Sequence, residues 1–260
     1  MRLGVAYNVF DGIELLESSI DSVRPVADYI CVIYQTTSNL GNFINADVEA
    51  EVRRLRMSGK IDEMARYVPK VNGGHVNELA KRNWGLDLAK SVGCTHFMTM
   101  DVDELYDKDE LMFARQMVEA GGFQSSACKM LTYYRSGEFI VDPPEEYYVP
   151  LIYKIDGRVF SMSSRWPVAA DPTRRMLPGN IKLFERNEIQ MHHFSYVRKD
   201  IRAKLINSSA SVNFKDRIEE IAQHYENWQY GQKCLFAGKE RRMYDVKRVD
   251  NKFNIQDQCA

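Results

Sequence analysis

The 260-residue sequence holds no apolar run long enough to span a bilayer. Its opening residues, MRLGVAYNV, do not read as a secretory leader. Both absences predict a chain without a membrane span, working in the cytoplasm. Cysteine is sparse. Cys31, Cys94, Cys128, Cys234 and Cys259 are scattered, and none stands in C-x-x-C spacing. That argues against a zinc knuckle or a disulfide framework and fits a reducing compartment. Neither sign of charge is in excess: 35 Lys and Arg against 36 Asp and Glu leave a net charge of −1. The chain as a whole therefore advertises no nucleic-acid surface, although a local basic patch is compatible with it. Internal repeats and low-complexity segments are missing too. At this length the chain is one large domain or a domain with an appended subdomain.

What is present centres on Thr95-His96-Phe97-Met98-Thr99-Met100-Asp101-Val102-Asp103-Glu104. Phe97, Met98 and Met100 make an apolar run of the kind a buried strand needs. It stops in three carboxylates within four residues. Apolar side chains pull the strand into a core, whereas clustered carboxylates resist burial unless something neutralises them. A divalent cation at the strand end resolves the conflict. Mg2+ and Mn2+ take oxygen ligands, one or two carboxylates together with substrate phosphates. Asp101 and Asp103 lie two apart and point the same way in extended chain. The plain alternative is a solvated turn that also caps the next helix.

In chain order, residues 3–7 read as a first strand. Asp11 and Glu14 resemble a capping box for a helix that runs to about residue 23 and stops at Pro25. Residues 30–34 form a second, near-continuous apolar strand, the signature of a parallel βαβ unit. The chain leaves it through the polar loop Gln35-Thr36-Thr37-Ser38-Asn39. Residues 46–58 carry helical spacing and end at Gly59. Residues 67–68 make a short third strand, Asn72-Gly73-Gly74 a turn, and residues 76–91 a clear helix closed by Gly93. Asp107 and Glu110 open a helix to about residue 120, capped by Gly121-Gly122. This order predicts an α/β fold with a mostly parallel sheet flanked by helices. In such sheets ligands bind outside the carboxyl ends of the strands. Tyr7-Asn8, Gln35 to Ser38 and Asp101-Val102-Asp103 all fall there.

The second half is less regular. Residues 127–134, 147–155 and 158–162 read as β segments, with a firm turn at Asp142-Pro143-Pro144. Residues 164–180 hold Trp166, Asp171, Arg174 and Arg175 in a long loop, and such loops are often lids or binding loops. Residues 180–184 and 189–197 predict a hairpin. Helices follow at 199–207 and 214–230; the second puts Phe214, Ile218, Ile221, Ala222, Tyr225 and Trp228 at helical spacing. The charged tail after Gly238 reads as loose.

The run Glu78-Leu79-Ala80-Lys81-Arg82-Asn83-Trp84-Gly85-Leu86-Asp87-Leu88-Ala89-Lys90, followed by Gly93, Phe97 and Asp101-Val102-Asp103-Glu104, resembles the nucleotide-sugar-binding half of GT-A glycosyltransferases. It is closest to the family-2-like group, in which an A-R-N-x-G-like helix precedes the D-x-D strand. Val5-Ala6-Tyr7-Asn8 and the strand at 30–34 also fit that group. The resemblance covers about the first 115 residues. Beyond them it is confined to Gly179-Asn180 onward and to Met191-His192-His193-Phe194-Ser195-Tyr196-Val197-Arg198. It implies a GT-A, Rossmann-like fold with a mixed second half and C-terminal helices. The implied division is 1–115, binding the nucleotide sugar; 116–198, an acceptor-side β region with a metal-site His strand; and 199–260, a helical segment.

Carried over residue by residue, the resemblance implies that Asp103 ligates Mn2+ or Mg2+ bridging the donor diphosphate. Asp101 would contact the ribose, the metal or a metal-bound water, with Val102 between them along the donor. Tyr7 and Asn8 would line the nucleoside pocket, and Arg82 and Asn83 would face the nucleotide. A late His, His193 or alternatively His192, would complete the metal shell; strand alternation lets only one of them face it. Imidazole with carboxylate suits Mn2+, and the cation would offset charge on the departing diphosphate.

The chain departs from the group in two places. Where relatives carry an acidic residue after the second strand, it has Gln35-Thr36-Thr37-Ser38, although Gln35 can still hydrogen-bond a base edge. The acidic pair that supplies the general base of inverting members is not recognisable. Asp171 is the candidate to take the acceptor proton, with Glu145 and Glu146 as alternatives. Trp166 suits stacking on a sugar or base, or a buried core position. Tyr7 as core, and Lys81 with Arg82 as an exposed helix face, are the plain readings of those residues. The expectation is a metal-dependent glycosyltransferase that moves a sugar from a nucleotide sugar, first of all a UDP-sugar, to a hydroxyl of a glycan, protein or nucleic acid, with inversion or retention open. One rival is a non-catalytic carbohydrate- or nucleic-acid-binding module, suggested by the aromatic and basic residues around Tyr196-Val197-Arg198-Lys199 and by Arg241-Arg242. The other is a nucleotidyltransferase, disfavoured because Tyr7-Asn8-Val9-Phe10-Asp11 is not a Gly-rich phosphate loop.

Overall fold

Strands form where the apolar runs are continuous, and helices where they recur every three to four residues. The computed structural model describes residues 1–42, 47–70 and 73–258. The first part of the chain runs β1 (Leu3–Val9), α1 (Ile13–Val23), β2 (Tyr29–Tyr34), α2 (Val48–Met57), β3 (Glu63–Arg66), α3 (Gly74–Ser91), β4 (His96–Asp101), β5 (Glu104–Leu105) and α4 (Lys108–Ala120). Then come β6 (Ser125–Tyr134), β7 (Ser136–Asp142), β8 (Tyr148–Lys154), β9 (Ile181–Leu183), β10 (Gln190–Tyr196), α5 (Ile201–Asn207), α6 (Ile218–Asn227), β11 (Cys234–Phe236) and β12 (Arg242–Arg248). Residue 46 of the helix expected at 46–58, Asn72 of the expected turn and Cys259 lie outside the described residues. The chain forms two units, Met1–Met130 with Glu146–Met191, and Leu131–Glu145 with His192–Ala260. Among the described residues no helix is long and apolar enough to cross a membrane.

The first unit is a mixed α/β structure on a mostly parallel sheet. β1 pairs in parallel with both β2 and β4, and β2 with β3. β8 runs antiparallel to β4, and Ser125–Lys129 of β6 antiparallel to β8. Side-chain alternation along these strands builds two cores. Leu3, Val5, Tyr7 and Val9 of β1, Ile30, Val32 and Tyr34 of β2, and Met98 and Met100 of β4 enter one, with apolar residues of α1, α2 and α4. Ala6, Cys31 and Phe97 enter the other, with Leu86 and Ala89 of α3. Each fully buried aliphatic or aromatic side chain contributes about 1.5–3 kcal/mol of transfer free energy. α3 lies so close on β1 that a Cβ at Gly85 would stand 2.4 Å from the Ala6 Cβ.

Several local expectations are corrected. α1 starts at Gly12, which is left-handed at φ 70°, and no side chain caps it, so Asp11 and Glu14 form no capping box. The third strand is Glu63–Arg66 instead of 67–68, paired in register with Cys31–Tyr34. Residues 158–162 form no strand. β9 does not make a hairpin with the strand after it; it pairs in parallel with Ser125–Ala127 of β6. The α4 start holds: the Asp107 carboxylate accepts from the Asp109 and Glu110 N–H groups.

The second unit is built round Tyr134, whose ring meets Tyr196, Tyr225, Trp228 and Phe236. The charged tail is not loose. β12 pairs antiparallel with β7 and with β11, and its Tyr244 and Val246 pack against that aromatic core.

Candidate active site

Parallel pairing in register lines up the carboxyl ends of three strands. Asn8 stands beside Asp101 across the β1–β4 pair, and Tyr34 beside Val9 across β1–β2. Gln35 follows at once, its N–H donating to the Val9 carbonyl at 2.9 Å. Both amide atoms of Asn8 and the Gln35 Oε1 are buried and have no hydrogen-bond partner among the described residues. The Gln35 Nε2 donates to Asn39 Oδ1 at 3.3 Å. A buried polar atom left without a partner costs about 1–3 kcal/mol. Such atoms together at strand ends mark a ligand position more than a core.

Next to them, the carboxylates of the organising stretch are neutralised by arginines. Arg174 reaches in from the single 3-10 turn Pro172–Arg174 of the long loop. It is 3% exposed. Its Nη1 donates to Glu104 Oε2 at 3.0 Å and its Nη2 to Asp101 Oδ2 at 2.6 Å and to Glu104 Oε1. Arg82, buried on α3, donates to Thr99 Oγ1 at 3.0 Å, Thr173 Oγ1 at 3.3 Å and Asp101 Oδ2 at 3.4 Å. Asp171 caps the 3-10 turn, accepting from the Thr173 N–H at 2.7 Å and hydroxyl at 2.8 Å. Its other oxygen lies 3.9 Å from Arg82 and 3.8 Å from Arg174. Burial alone would raise the Asp101 carboxyl, but Arg82 and Arg174 outweigh it and hold it well below the usual carboxylate range. For Glu104 burial wins over Arg174: with Asp101 and Asp103 adding to the push, it rises to about 7.

α3 carries a further cation. Lys81 is 4% exposed. Burial pushes its ammonium down to about 8, against the pull of Asp101, Glu78 and Asp11 and with Arg82 opposing its charge. Both Lys81 and Arg82 thus lie on the buried face of the helix, not the exposed one.

The structure brings together Asn8, Gln35, Arg82, Asp101 and Asp171 of the residues singled out in the sequence. Tyr7, Val102 and Asn83 make their contacts away from this cluster. Tyr7 is packed in the core on the opposite face of the sheet, its hydroxyl 3.1 Å from Ser19 Oγ, and burial raises its pKa. Val102 joins the same core. The Asn83 amide clamps the backbone of Phe160, accepting from its N–H at 2.9 Å and donating to its carbonyl at 3.1 Å. Asp103 is buried, but β4 ends at Asp101 and residues 102–103 form a turn, so strand alternation does not align the two acids. Trp166 ties the long loop, its Nε1 donating to the Met176 carbonyl at 2.7 Å. Glu146 is exposed and pairs with Lys129, and in the second unit Glu145 accepts from Thr132. His192 and His193 belong to that unit, where the His192 Nδ1 stands 3.0 Å from the Tyr133 hydroxyl.

The sequence pattern put Glu104 among the clustered carboxylates without a role for it, and it did not point to Thr99, Thr173 or above all Arg174 as members of the cluster. The available signal was Arg174-Arg175 in a long loop, in a chain whose clustered acids needed counter-charge. A cation at these carboxylates would need oxygens free to coordinate it. Asp101 and Glu104 already share the Arg174 guanidinium, and among the described residues no three His, Cys, Asp or Glu side chains are grouped to hold a metal. As they stand, the residues do not fit the expected Mn2+ or Mg2+.

No family model and no curated protein matches the sequence. Among solved structures the chain is similar to S. aureus TarS, residues 1–349, at 13% identity and a TM-score of 0.49, over 87% of this chain and 72% of that one. The same TarS segment in complex with UDP-GlcNAc aligns at 14% identity and a TM-score of 0.47, over 87% and 73%. A mannose-1-phosphate geranyltransferase from Thermus thermophilus aligns at 14% and 0.33, over 60% of this chain and 51% of that one.

Proposed function

We propose that the chain is a GT-A-like glycosyltransferase that moves a sugar from a nucleotide sugar, a UDP-sugar first of all, to an acceptor hydroxyl. The observation that carries the reading is a set of buried amide atoms without a hydrogen-bond partner among the described residues, Asn8 Nδ2 and Oδ1 and Gln35 Oε1, at strand ends beside Asp101. An amide offers a donor and an acceptor side by side, which matches the carbonyl and N–H of a uracil edge. The order of the motifs, Arg82-Asn83-Trp84-Gly85 on a helix before the strand ending at Asp101, supports the same reading.

In the transfer, the acceptor oxygen bonds to the anomeric carbon while the bond from that carbon to the diphosphate oxygen breaks. The nucleoside diphosphate leaves with the electron pair. Asp171 is assigned the acceptor proton: it is about a third exposed and shares Arg82 and Arg174 with Asp101. No step is assigned to a cation.

The test is thermal unfolding with UDP, GDP, ADP and CMP, each in EDTA and in Mn2+. A ligand that binds only the folded state raises the melting temperature by mass action. UDP is expected to shift it, and Asn8→Ala with Gln35→Ala to remove the shift. Asp171→Asn should keep the UDP shift while turnover of the UDP-sugar falls by about 10²–10⁴-fold. No shift with any of the four nucleotides overturns the reading and favours a binding module.

A further inference from the structure

The contacts of α3 with β1 advance in step. A Cβ at Gly4 would meet Ala89 at 2.7 Å, and one at Gly85 would meet Ala6 at 2.4 Å. One helical turn matches two strand residues in length. The next step along both elements carries Lys81 to the level of Asn8, at the carboxyl end of the sheet. Asn77, Lys81, Gly85 and Ala89 are four apart on the inward side of α3, so Lys81 cannot reach solvent by turning to the other face. Its ammonium makes no hydrogen bond and no ion pair among the described residues. An ammonium on a side chain only 4% exposed is poorly hydrated and favours an anion that meets it. Of the acids that act on it, Asp101 is already bound to Arg174 and Arg82, and Glu78 and Asp11 act from beyond hydrogen-bond distance.

We propose that Lys81 is the anion-binding group of this site, meeting the diphosphate of the nucleotide sugar and taking the charge that a divalent cation was expected to offset. The inference rests on the nucleotide-sugar reading above and names the group that holds its diphosphate. Arg174 and Arg82 neutralise the carboxylates, and Lys81 is left for the ligand. Binding of the diphosphate then does not depend on a metal.

The experiment is calorimetric titration of the whole chain with UDP and with uridine, in EDTA and in Mn2+, for the natural protein and for Lys81→Met. Uridine lacks the diphosphate and keeps the base contacts. The natural protein should bind UDP in EDTA with nearly its affinity in Mn2+. Lys81→Met should lose about tenfold or more for UDP and keep its affinity for uridine. Its melting temperature should not fall, because a buried charge has been replaced by an apolar chain of similar length. If the variant fails to fold, Lys81→Arg, which keeps the charge, must bind UDP better than Lys81→Gln. UDP binding that vanishes in EDTA and returns with Mn2+ overturns the inference and leaves the nucleotide reading standing. So does Lys81→Met that binds UDP like the natural protein. Failure of UDP and uridine to bind in either medium overturns both.

Discussion

Replacing Arg174 by Met removes a guanidinium and keeps an unbranched apolar stem in its place. The side chain is 3% exposed and is bound to Glu104 through both terminal nitrogens and to Asp101 at 2.6 Å. Taking away one partner of a buried ion pair costs about 3–5 kcal/mol, mostly for the charge left behind. Two features set the position within that range. Asp101 keeps Arg82 at 3.4 Å. Glu104 has a second way out, because burial already lifts its pKa to about 7, and without Arg174 it would take a proton more readily still. At about pH 6 that route is open and the loss should sit near the lower bound. At about pH 8.5 the natural protein holds Glu104 ionised against Arg174, and the variant must either bury the bare carboxylate or bind a proton from a scarce supply. Each pH unit between the two carboxyl pKa values adds about 1.4 kcal/mol to the loss. The assay is urea denaturation at both pH values with hydrogen exchange read over α3 and β4, since two units need not unfold together. A loss below about 1 kcal/mol, or one that does not grow with pH, refutes the reasoning. Arg174→Met combined with Glu104→Gln should lose less than the two single losses added together, because the pair interacts.

Glu104→Gln alone should flatten part of the pH dependence of stability. A carboxyl raised in the folded state binds its proton more tightly there than in the unfolded chain. Its contribution is full below about pH 4.5 and is lost as pH rises through about 7; urea midpoints for the natural protein and the variant that fall in parallel across this window would contradict the assignment. Gly85→Ala sets a methyl 2.4 Å from the Ala6 Cβ and should cost about 1–3 kcal/mol in a urea titration despite the better helix propensity of alanine; an unchanged midpoint would mean that α3 packs less closely on β1. Tyr7→Phe should cost about 0.5–1.5 kcal/mol and leave the UDP-induced melting shift intact, because the hydroxyl serves Ser19 in the core; loss of the shift would return Tyr7 to the nucleotide.

Period and run length made most of the first unit legible. The strands at 3–9, 29–34 and 96–101 are buried nearly throughout, and a strand covered on both faces needs the apolar runs the sequence displays. β12 was missed for the opposite reason. It alternates charged residues with Tyr244 and Val246 and is largely exposed, so its strand character comes from pairing with β7 and β11, which no local pattern encodes. The hairpin at 180–197 failed likewise: adjacency in sequence suggested one partner for β9, and pairing with Ser125–Ala127 supplied another. Strand alternation does not align Asp101 with Asp103. Alternation holds only while the chain is extended, and β4 ends at Asp101.

The acid cluster shows where sequence reasoning about charge needs a different rule. Clustered carboxylates resist burial unless something neutralises them, and a divalent cation was the expected answer; the pattern does not say whether metal or guanidinium supplies it. Arg174 lies 73 positions from Asp101, beyond any local pattern. The readable clue was on α3 instead. Asn77, Lys81, Arg82 and Gly85 occupy its buried stripe together with Leu86 and Ala89. A helix that points one apolar end and one polar, cationic end of the same stripe at a sheet cannot be packing on hydrocarbon along its whole length. Ala89 and Gly85 meet the amino-terminal and middle parts of β1. The polar end therefore falls over the carboxyl ends of the strands, where a parallel sheet binds its ligand. Helical spacing alone places Lys81 and Arg82 on that stripe, so the expectation that Arg82 faces the ligand, and not the plain reading of both as an exposed face, was the sequence's most direct statement of where the site lies.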